Sequence, residues 1–349
     1  MFADYPILSD LSLDQRPVLH PLFQALPEGI SEFTFANLYL FRKTHHYRLA
    51  RLPGGLFVFT GRDASGPPSG ESSSGESSGG DSGGGGPSSA ESSGGDSGGG
   101  EEFFMLPFGL PARDTLDDLF DRFGKMKAVS EPQSIELARM NYRVEEDRDN
   151  SDYIYSRAEL STLPGPKFHK KKNQINKFLR NHLAEGRPLL EEHLPEALEV
   201  LEAWRALRED PGDYEAAREA LERAEELQLC GGIYYVGGQP VAYTLGEENA
   251  RGTSFVIHFE KAVHADQYGG IYQFINQVFA SILPPKYNTI NREQDLGDAG
   301  LRQAKESYNP IGFLKKFRAR KDEVRMMNDE CRMMNKDPET SLKHFPPCR

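Results

Sequence analysis

Cysteines and long apolar runs are scarce in this chain of 349 residues. Its three cysteines, Cys230, Cys331 and Cys348, are too few and too widely spaced for a disulfide framework or a zinc site. No window approaches eighteen uninterrupted apolar residues, and residues 1–6 lack the basic and apolar regions of a signal peptide. We therefore expect a protein that is neither secreted nor membrane-spanning, binds no metal, and resides in a reducing cytoplasm.

The acidic balance of the chain says little about its partners. The formal net charge is -12, from 53 acidic and 41 basic residues. Seven of the acidic residues lie within 64–102, a segment that otherwise contains almost only Gly, Ser and Pro. The remaining residues carry a net charge of about −5, and their length and apolar content suit two domains of ordinary size.

The segment 64–102 contains a direct repeat, at 76–85 and again at 91–100. This composition cannot bury enough apolar surface to offset the loss of chain entropy on folding, so we predict a disordered low-complexity insertion. It separates two strand-like runs, 56–60 and 103–107, which we expect to pair as a hairpin because the cost of loop closure grows slowly with length. The alternative is that the insertion acts as an acidic interaction segment.

The rest of the chain divides into two halves joined by a basic segment. We predict an N-terminal domain over 1–160, a basic linker helix over 161–188, a C-terminal domain over 189–320 and a tail over 321–349. Apolar periodicity and turn signals predict helices at 13–25, 114–127, 195–208, 213–227 and 271–283, and strands at 47–51, 232–236, 241–245 and 254–259; the segment 33–41 is an aromatic amphipathic stretch. The apolar spacing in the tail predicts a short amphipathic helix through Val324, Met327, Cys331 and Met334.

A dense polar segment follows the strand-like run 287–290. It extends from Asn291 to Pro310 through a predicted helix, and a further predicted strand over 311–317 comes directly afterwards. Solvated loops rarely concentrate charge in this way while also supplying a helix start and a helix stop. We therefore predict a polar site at the carboxyl end of the first strand, where open α/β sheets usually bind ligands.

The order of elements in the second half resembles the core of the GNAT-type N-acyltransferases. In that fold two parallel strands splay apart, and an acyl donor lies in the gap with its phosphates at the N-terminus of the following helix. The phosphate motif of that fold is Arg/Gln-x-x-Gly-x-Gly/Ala. Its first half is matched by the run of Gln267, Tyr268, Gly269, Gly270 and Ile271, which we take as the candidate donor-binding loop. Tyr272 occupies the position where a small residue belongs.

Several longer polar motifs point to one family. They are Tyr153-Ile154-Tyr155, the run from Gly165 to Phe178, Glu260-Lys261-Ala262, the run from Tyr272 to Asn276, and the polar segment from Asn291 to Pro310. These motifs resemble the family named after the C-terminal domain of phosphatidylglycerol lysyltransferase. The resemblance implies an α+β fold of two tandem GNAT-like domains, each a mixed sheet flanked by helices. Membrane-bound members move lysine from lysyl-tRNA onto a lipid headgroup; we expect this chain to lack their transmembrane half, so the resemblance predicts fold and reaction type better than substrate.

Acyl transfer to an amine needs a base, because only the neutral amine attacks the acyl carbon. Deprotonation at pH 7 costs about 4.6 kcal/mol for an ε-amine and about 1 kcal/mol for an α-amine, and a hydroxyl acceptor needs a base still more. Glu260 and Glu293 end the two splayed strands and are the candidate bases, with His258 further back. Tyr308 resembles the tyrosine that many GNAT enzymes use to protonate a leaving thiolate. The alternative is that the carboxylates form simple ion pairs and that Tyr308 only packs against the helix end.

Side chains suited to phosphate or carboxylate groups occur in two places. Those in or near the polar segment are Lys261, Asn291, Arg292, Arg302 and Lys305. The others are Lys170, Lys171 and Lys172, within a basic run over 167–177 that forms a positive patch on an otherwise acidic protein. Such a patch would hold a tRNA backbone, coenzyme A phosphates or an anionic lipid, and a solvated helix face is the alternative.

These features predict an acyl- or aminoacyltransferase of GNAT type. The donor would be acyl-CoA or aminoacyl-tRNA, with no tightly bound cofactor, and the acceptor an amine or hydroxyl on a small molecule or a lipid headgroup. The alternative is a non-catalytic GNAT-like module that binds RNA or another anionic ligand, which the bulky Tyr272 in the phosphate loop favours.

Overall fold

Two seven-stranded sheets form the framework of the protein, whose computed structural model describes residues 2–63 and 100–322. In spatial order, the first sheet contains β1 (Ser9–Asp10), β2 (Arg48–Arg51), β3 (Phe57–Arg62), β4 (Glu102–Met105), β5 (Lys125–Val129), β14 (Phe317–Arg320) and β6 (Arg143–Glu146). The second sheet contains β13 (Gly312–Leu314), β7 (Asp152–Ser156), β12 (Thr289–Asn291), β11 (Ser254–Ala262), β10 (Gln239–Asn249), β9 (Cys230–Val236) and β8 (Ala184–Pro188). Each sheet joins a parallel pair, β4 with β5 or β11 with β12, to antiparallel neighbours.

Helices pack against both sheets. They are α1 (Arg16–Gln24), α2 (Phe35–Leu40), α3 (Arg113–Phe123), α4 (Glu131–Arg139), α5 (Arg157–Thr162), α6 (His169–Asn181), α7 (Leu194–Ala206), α8 (Tyr214–Glu222), α9 (Ala224–Leu227), α10 (Ile271–Ile282) and α11 (Ala299–Glu306). Capping side chains define the first residues of several of these helices. The Thr34 hydroxyl accepts a hydrogen bond from the Asn37 N–H at 3.1 Å before α2, and the Asp298 carboxylate accepts one from the Leu301 N–H at 2.6 Å before α11. Such caps satisfy N–H groups that have no partner inside the helix.

One large apolar core is shared by the two sheets. Phe41, directly after α2, stacks on Phe259 of β11 with ring centroids 6.3 Å apart. Beside this contact, Arg42 forms an ion pair with Glu219 of α8 at 2.8 Å. Phe259 is fully buried and Phe41 partly buried, so this stacking and the ion pair join the N-terminal residues to the second sheet.

The predicted hairpin around the low-complexity insertion is confirmed. β3 and β4 pair antiparallel, with Thr60 opposite Phe104. At the open end of the hairpin the Asp63 N–H donates to the Glu101 carbonyl at 3.0 Å, and the buried Lys125 ammonium contacts the carboxylates of both residues. Residues 64–99, which carry most of the predicted disordered insertion, lie outside the described residues, whereas Glu101 and Glu102 are part of the hairpin.

Replacing 64–99 by a short Gly-Ser linker is expected to keep the melting temperature or raise it by about 2 to 4 °C. The hairpin and the Lys125 contacts hold both ends of the insertion, and a roughly six-fold shorter loop gains on the order of 1 to 2 kcal/mol of closure entropy. Circular dichroism melts of the two chains, run side by side, measure the change. A fall of more than about 5 °C would instead show that the insertion stabilises the fold.

The division between the two sheets differs from the predicted domain boundaries. β7, within the predicted N-terminal domain of 1–160, belongs to the second sheet, where it pairs with β12 and β13. β14, near the end of the predicted C-terminal domain, lies in the first sheet between β5 and β6. The chain therefore crosses between the sheets after β6 and again between β13 and β14.

Three further predictions about local structure were wrong in their limits. The helix predicted to reach residue 127 ends before Gly124, whose φ of 75° suits a glycine after a helix, and β5 follows at once. The strand predicted over 311–317 is two strands in different sheets. The basic linker predicted as one helix over 161–188 contains the end of α5 and all of α6 and β8. The amphipathic helix predicted in the tail falls on residues 323–349, outside the described residues.

Candidate active site

The parallel strands β11 and β12 part after a short paired stretch. Three residue pairs join them, from Ser254 with Thr289 to Val256 with Asn291. Beyond Val256 and Asn291 the two segments no longer pair with each other. On the other side of β11 the register with β10 shifts between Leu245 and Gly246, which leaves His258 as an extra residue in a β-bulge. A bulge redirects a side chain, and here it does so at the opening between the splayed strands.

His258 connects two carboxylates at this opening. Its Nδ1 lies 2.8 Å from Oε1 of Glu293, and its Nε2 lies 3.1 Å from Oε1 of Glu247. Burial disfavours a charged ring, but hydrogen bonds to Glu247 and Glu293 and the charges of both carboxylates raise the pKa of His258 to about 9. All three side chains are buried, so bulk water screens their interactions weakly.

The backbone of Glu293 is held in an uncommon conformation. Its φ is 55°, in the left-handed region that non-glycine residues seldom occupy. The Glu293 N–H donates to Oδ1 of Asn291 at 2.7 Å, and the Glu293 carbonyl accepts from the Tyr153 N–H at 3.1 Å. Lys305 donates to the carbonyls of Arg292 and Gln294 at 2.6 Å each. Residues kept in such conformations by their surroundings are concentrated at functional sites.

Lys305 therefore stabilises the loop that carries Glu293, by hydrogen bonds to its backbone. Its ammonium is buried beneath the loop between α11 and β12. Burial is the largest cause that lowers the pKa of Lys305, the nearby Arg292 guanidinium is the next, and together they bring it to about 7. This lysine, a predicted phosphate contact, is engaged by two backbone carbonyls.

A second cluster surrounds Glu260. Arg292 donates to Oε1 of Glu260 at 3.1 Å, and the Asn276 amide of α10 lies 3.3 Å from both carboxylate oxygens. The Arg292 guanidinium lies 5.1 Å from the centre of the Tyr308 ring, and the Lys171 ammonium lies 3.9 Å from the same ring. Of the predicted site residues, Glu260, Arg292, Tyr308 and Lys171 thus lie in one cluster, whereas Glu293 binds His258.

Three other predicted contact residues have structural partners. Lys261 forms an ion pair with Asp213 at 2.5 Å and lies 4.0 Å from the Trp204 ring. Arg302 binds both Asp149 and Asp295 at 2.7 Å. Asn291 donates to Asp152 and to the Gly29 carbonyl, at 3.0 Å each, and so joins β12 to the N-terminal residues.

Arg302 also lowers the pKa of a carboxylate that it binds, that of Asp295. Burial alone would raise the pKa of Asp295, but hydrogen bonds from Arg302, Tyr153 and the Gly297 N–H lower it to about 2. Asp295 is thus an ionised anchor that ties the start of α11 to β7.

A buried network behind the site was missed at the sequence level. Lys316, between β13 and β14, donates to Asp152 at 2.6 Å and also contacts Glu32. Ser31 donates to Asp152 through its hydroxyl and its N–H, at 2.8 Å each. These residues are far apart along the chain and belong to no recognisable motif, so no local signal connects them.

The candidate donor loop, 267–271, is partly covered by α6. A Cβ on Gly270 would lie 2.7 Å from the Gln174 carbonyl oxygen and 3.1 Å from Cβ of Phe178. The Ile271 N–H is already bonded to the Tyr268 carbonyl at 2.9 Å. Gly269 is open, because a Cβ added there would have no heavy atom of another part of the described chain within 4 Å. A phosphate would therefore reach this loop most easily at Gly269.

The outer face of α6 is basic. Lys170, Lys172, Lys177 and Arg180 are exposed on this helix, and none of them forms an ion pair within residues 2–63 and 100–322. Lys171 differs from its neighbours because it is buried against Tyr308. The helix thus connects an exposed positive surface to the cluster around Arg292.

The parallel pair of the first sheet is lined by apolar residues. Its parallel strands pair at Phe104 and Met126, and the residues near that pair, Met105 and Val129, are buried and apolar. Across the described ranges, no group of three or more His, Cys, Asp and Glu side chains is arranged to hold a metal ion. Nor is any described helix long and apolar enough to cross a bilayer.

Comparison with known families assigns the chain. The family model described as phosphatidylglycerol lysyltransferase, C-terminal, matches residues 95–320, which include the splayed strands and every candidate site residue. The chain belongs to this family. An uncharacterised protein of Mycoplasmoides gallisepticum is 26% identical over 195 residues, which are 52% of this chain and 60% of that protein. The chain thus spans less than two thirds of this curated relative.

Solved structures confirm the predicted fold of two tandem GNAT-like domains. A conserved protein of unknown function from Bacteroides thetaiotaomicron aligns with a TM-score of 0.72 at 28% identity, over 92% of this chain and 100% of that chain. The C-terminal domain of a putative lysylphosphatidylglycerol synthetase from Agrobacterium fabrum aligns with a TM-score of 0.53 at 11% identity, over 93% and 97%. FemX aligns with a TM-score of 0.51 at 8% identity, over 92% and 99%. The fold is therefore a tandem GNAT-like α+β fold.

Proposed function

We propose that the protein is an aminoacyltransferase that moves an aminoacyl group from aminoacyl-tRNA to an amine or hydroxyl acceptor, with Glu293 as the base. The observation that carries the proposal is the His258–Glu293 pair at the opening between β11 and β12, with Glu293 held at a φ of 55°. A carboxylate that is fixed in place and bonded to a buried imidazole is well suited to accept a proton.

Three features favour aminoacyl-tRNA over an acyl-CoA donor. The loop that would bind the pyrophosphate is packed against α6 at Gly270, and three of its N–H groups, those of Gln267, Tyr268 and Ile271, are already bonded. The bulky Tyr272 side chain is buried where the motif has a small residue. The exposed basic face of α6 supplies positive charge over a length suited to a nucleic-acid backbone. This donor is found in the cytoplasm, where we expect the protein to act.

The reaction would proceed by direct transfer. Glu293 takes a proton from the acceptor's N–H or O–H group while that atom bonds to the acyl carbon. The bond between the acyl carbon and the ribose oxygen of the donor then breaks, and the leaving oxygen receives a proton. Tyr308 is the candidate donor of that proton, and the adjacent Arg292 and Lys171 would stabilise negative charge on its oxygen or on the leaving group.

The acceptor proposed by analogy with the family name is a lipid headgroup. Either a headgroup hydroxyl or a small-molecule amine would satisfy the chemistry of Glu293. The test is a transfer assay with radiolabelled lysyl-tRNA and vesicles containing phosphatidylglycerol, compared with lysyl-tRNA and free amines. Label in the lipid fraction identifies a lipid acceptor, and label in the amine identifies a small-molecule acceptor.

Binding of the donor can be tested before the acceptor is known. We expect aminoacyl-tRNA at about 100 times its Kd to stabilise the protein by about 2.7 kcal/mol, and acetyl-CoA to leave the melting temperature unchanged. Gly269→Asp is the informative variant, because its side chain adds charge to the loop without a clash. Gly270→Asp would instead collide with the backbone of α6.

The outcomes of this screen separate the two donors. Stabilisation by acetyl-CoA that is lost in Gly269→Asp would replace the tRNA donor by a CoA thioester. Stabilisation by aminoacyl-tRNA but not by uncharged tRNA would support recognition of the aminoacyl group.

A binding module without catalysis is the second candidate. The buried ion pair between Arg292 and Glu260, 3.1 Å across, favours it because this pair occupies both residues at the splayed strands. A module of this kind would bind charged and uncharged tRNA equally and would transfer no label in the assay described above.

A further inference from the structure

Glu247, His258 and Glu293 form a continuous row of buried titratable groups. The two carboxylates lie at opposite nitrogens of the ring, 2.8 Å from Nδ1 and 3.1 Å from Nε2. An ionised carboxylate only accepts hydrogen bonds, and a neutral imidazole has a proton on one nitrogen only. Both bonds can therefore form only if the row holds one proton beyond that of the neutral ring, either on the second ring nitrogen or on a carboxyl group.

We propose that Glu247 and His258 form a proton relay behind Glu293, so that when Glu293 takes up a proton the imidazole passes its own Nε2 proton to Glu247 and only hydrogen atoms move. This relay rests on the proposed role of Glu293 as the base. Glu247 and His258 are positioning residues in this scheme, because neither touches the substrate. Because the two carboxylates lie on opposite sides of the ring, the three groups form a line that leads away from the opening.

The proton balance of the relay is simple. Glu293 removes a proton from the acceptor as the new bond to the acyl carbon forms. The ring starts with a proton on each nitrogen, so the proton from the acceptor stays on the second carboxylate oxygen of Glu293, and His258 gives its Nε2 proton to Glu247 while Nδ1 keeps its own. The row has then gained one proton and consists of a neutral ring between two neutral carboxyl groups. When the bond to the donor's ribose oxygen breaks and Tyr308 protonates the leaving oxygen, the same transfers in reverse return a proton to the opening, which restores the Tyr308 hydroxyl.

The far end of the row faces the N-terminal part of the chain. Glu247 interacts electrostatically with Arg16 and His20 of α1 and with Cys230 of β9. Arg16 Nε and His20 Nε2 are buried and have no hydrogen-bond partner within the described part of the chain. These atoms place further proton-carrying groups near Glu247.

The near end of the row faces two lysines. Glu293 interacts electrostatically with Lys261 of β11 and Lys305 of α11. These two lysines, together with Arg16, His20 and Cys230, are the titratable or charged groups through which a change of pH would act on the row.

A purely structural role explains the row less well. Replacing buried ionic groups by well-packed apolar residues is often neutral or stabilising, so three buried ionisable groups are a poor way to gain stability. His258 also occupies a β-bulge, which disrupts the ladder between β10 and β11 at this point. The bulge costs pairing, and its effect is to place the ring between the two carboxylates.

Nitrogen-15 NMR of the imidazole tests the coupling without any substrate. The His258 signal is assigned by its loss in His258→Asn, and we expect a doubly protonated ring that titrates near pH 9 in the wild type. Glu247→Gln and Glu293→Gln should each move this titration to lower pH, because each removes one negative partner. A titration unchanged in both variants would overturn the relay, since the three groups would not share a proton.

Kinetics separate a relay from a merely structural row. We expect Glu247→Gln to lower kcat by about 10- to 100-fold with KM unchanged, and to shift the pH at which activity is half maximal. The control His46→Asn changes an exposed residue with a φ of 51°, which asparagine tolerates well, and should retain wild-type rates. Unchanged kcat and pH profile in Glu247→Gln, with the NMR titration shifted, would reduce the row to a structural feature.

The failure of this relay is distinguishable from failure of the proposed function. If Glu293→Gln abolishes transfer and Glu247→Gln does not slow it, the base stands and the relay is wrong. If no donor or acceptor gives transfer but the NMR titrations shift as described, the proposed function fails and, with it, the relay's catalytic role.

Discussion

Glu293→Gln is expected to lower the rate of aminoacyl transfer by about 10²- to 10⁴-fold while donor binding changes little. Glutamine keeps the length and shape of the side chain, and its amide oxygen can still accept a hydrogen bond from His258, now 2.8 Å from Oε1 of Glu293. It cannot accept a proton from the acceptor, so the loss falls on kcat. The measurement is single-turnover transfer at saturating lysyl-tRNA, with donor affinity measured separately.

Glu306→Gln is the matched control. Glu306 is an exposed residue at the end of α11, 3.5 Å from Arg148, and it lies outside both clusters at the splayed strands. An exposed ion pair of this kind contributes less than about 1 kcal/mol, so this variant should fold and react like the wild type. Wild-type turnover in Glu293→Gln would show that the Glu293 cluster only supports the structure.

Strand ends were the sequence signal for the candidate site, because Glu260 lies near the end of β11 and Glu293 just after β12. Glu260 and Glu293 were singled out by their positions at strand ends, and the structure places them at the opening between β11 and β12. Their partners could not be predicted in this way. Glu293 meets His258 only because the register shifts by one residue opposite Gly246, where a Cβ would lie 2.0 Å from the Val256 carbonyl oxygen.

A glycine inside a strand was the available signal for that bulge. Gly246 interrupts the run of β10, and such glycines often mark bulges or close approaches of two backbones. The pattern alone does not say which residue of the facing strand becomes unpaired. The His258–Glu293 contact therefore depends on the three-dimensional register.

The exchange of strands between the sheets was beyond local reasoning for a different physical reason. Periodicity indicates that a segment is extended and which face is apolar, but it does not identify the neighbouring strand. β7 and β14 are short, and each pairs with strands distant in sequence. The predicted boundary at residue 160 therefore cut through a chain that crosses twice between the sheets.

Lys316→Met is expected to lower the free energy of unfolding by about 3 to 5 kcal/mol, the usual cost of leaving a buried charge without its partner. The Lys316 ammonium is buried between Asp152 and Glu32 at the point where the chain passes from β13 to β14. Burial opposes its charge, but the two carboxylates raise the pKa of Lys316 above its ordinary value. Methionine fills a similar volume and leaves both carboxylates unpaired. Urea unfolding at pH 7 measures the loss.

The double variant Lys316→Met/Asp152→Asn separates charge from packing. The asparagine introduced in place of Asp152 would keep an oxygen for the Ser31 N–H and the Asn291 amide, which now bond Oδ2 at 2.8 and 3.0 Å, and its amide would donate toward the Ser31 hydroxyl. We therefore expect the double variant to be more stable than Lys316→Met, a non-additive result that only coupled residues give. Equal or lower stability would show that the methionine harms packing instead. Because Asn291 also bonds the Glu293 N–H, the recovered stability should be accompanied by recovered transfer activity.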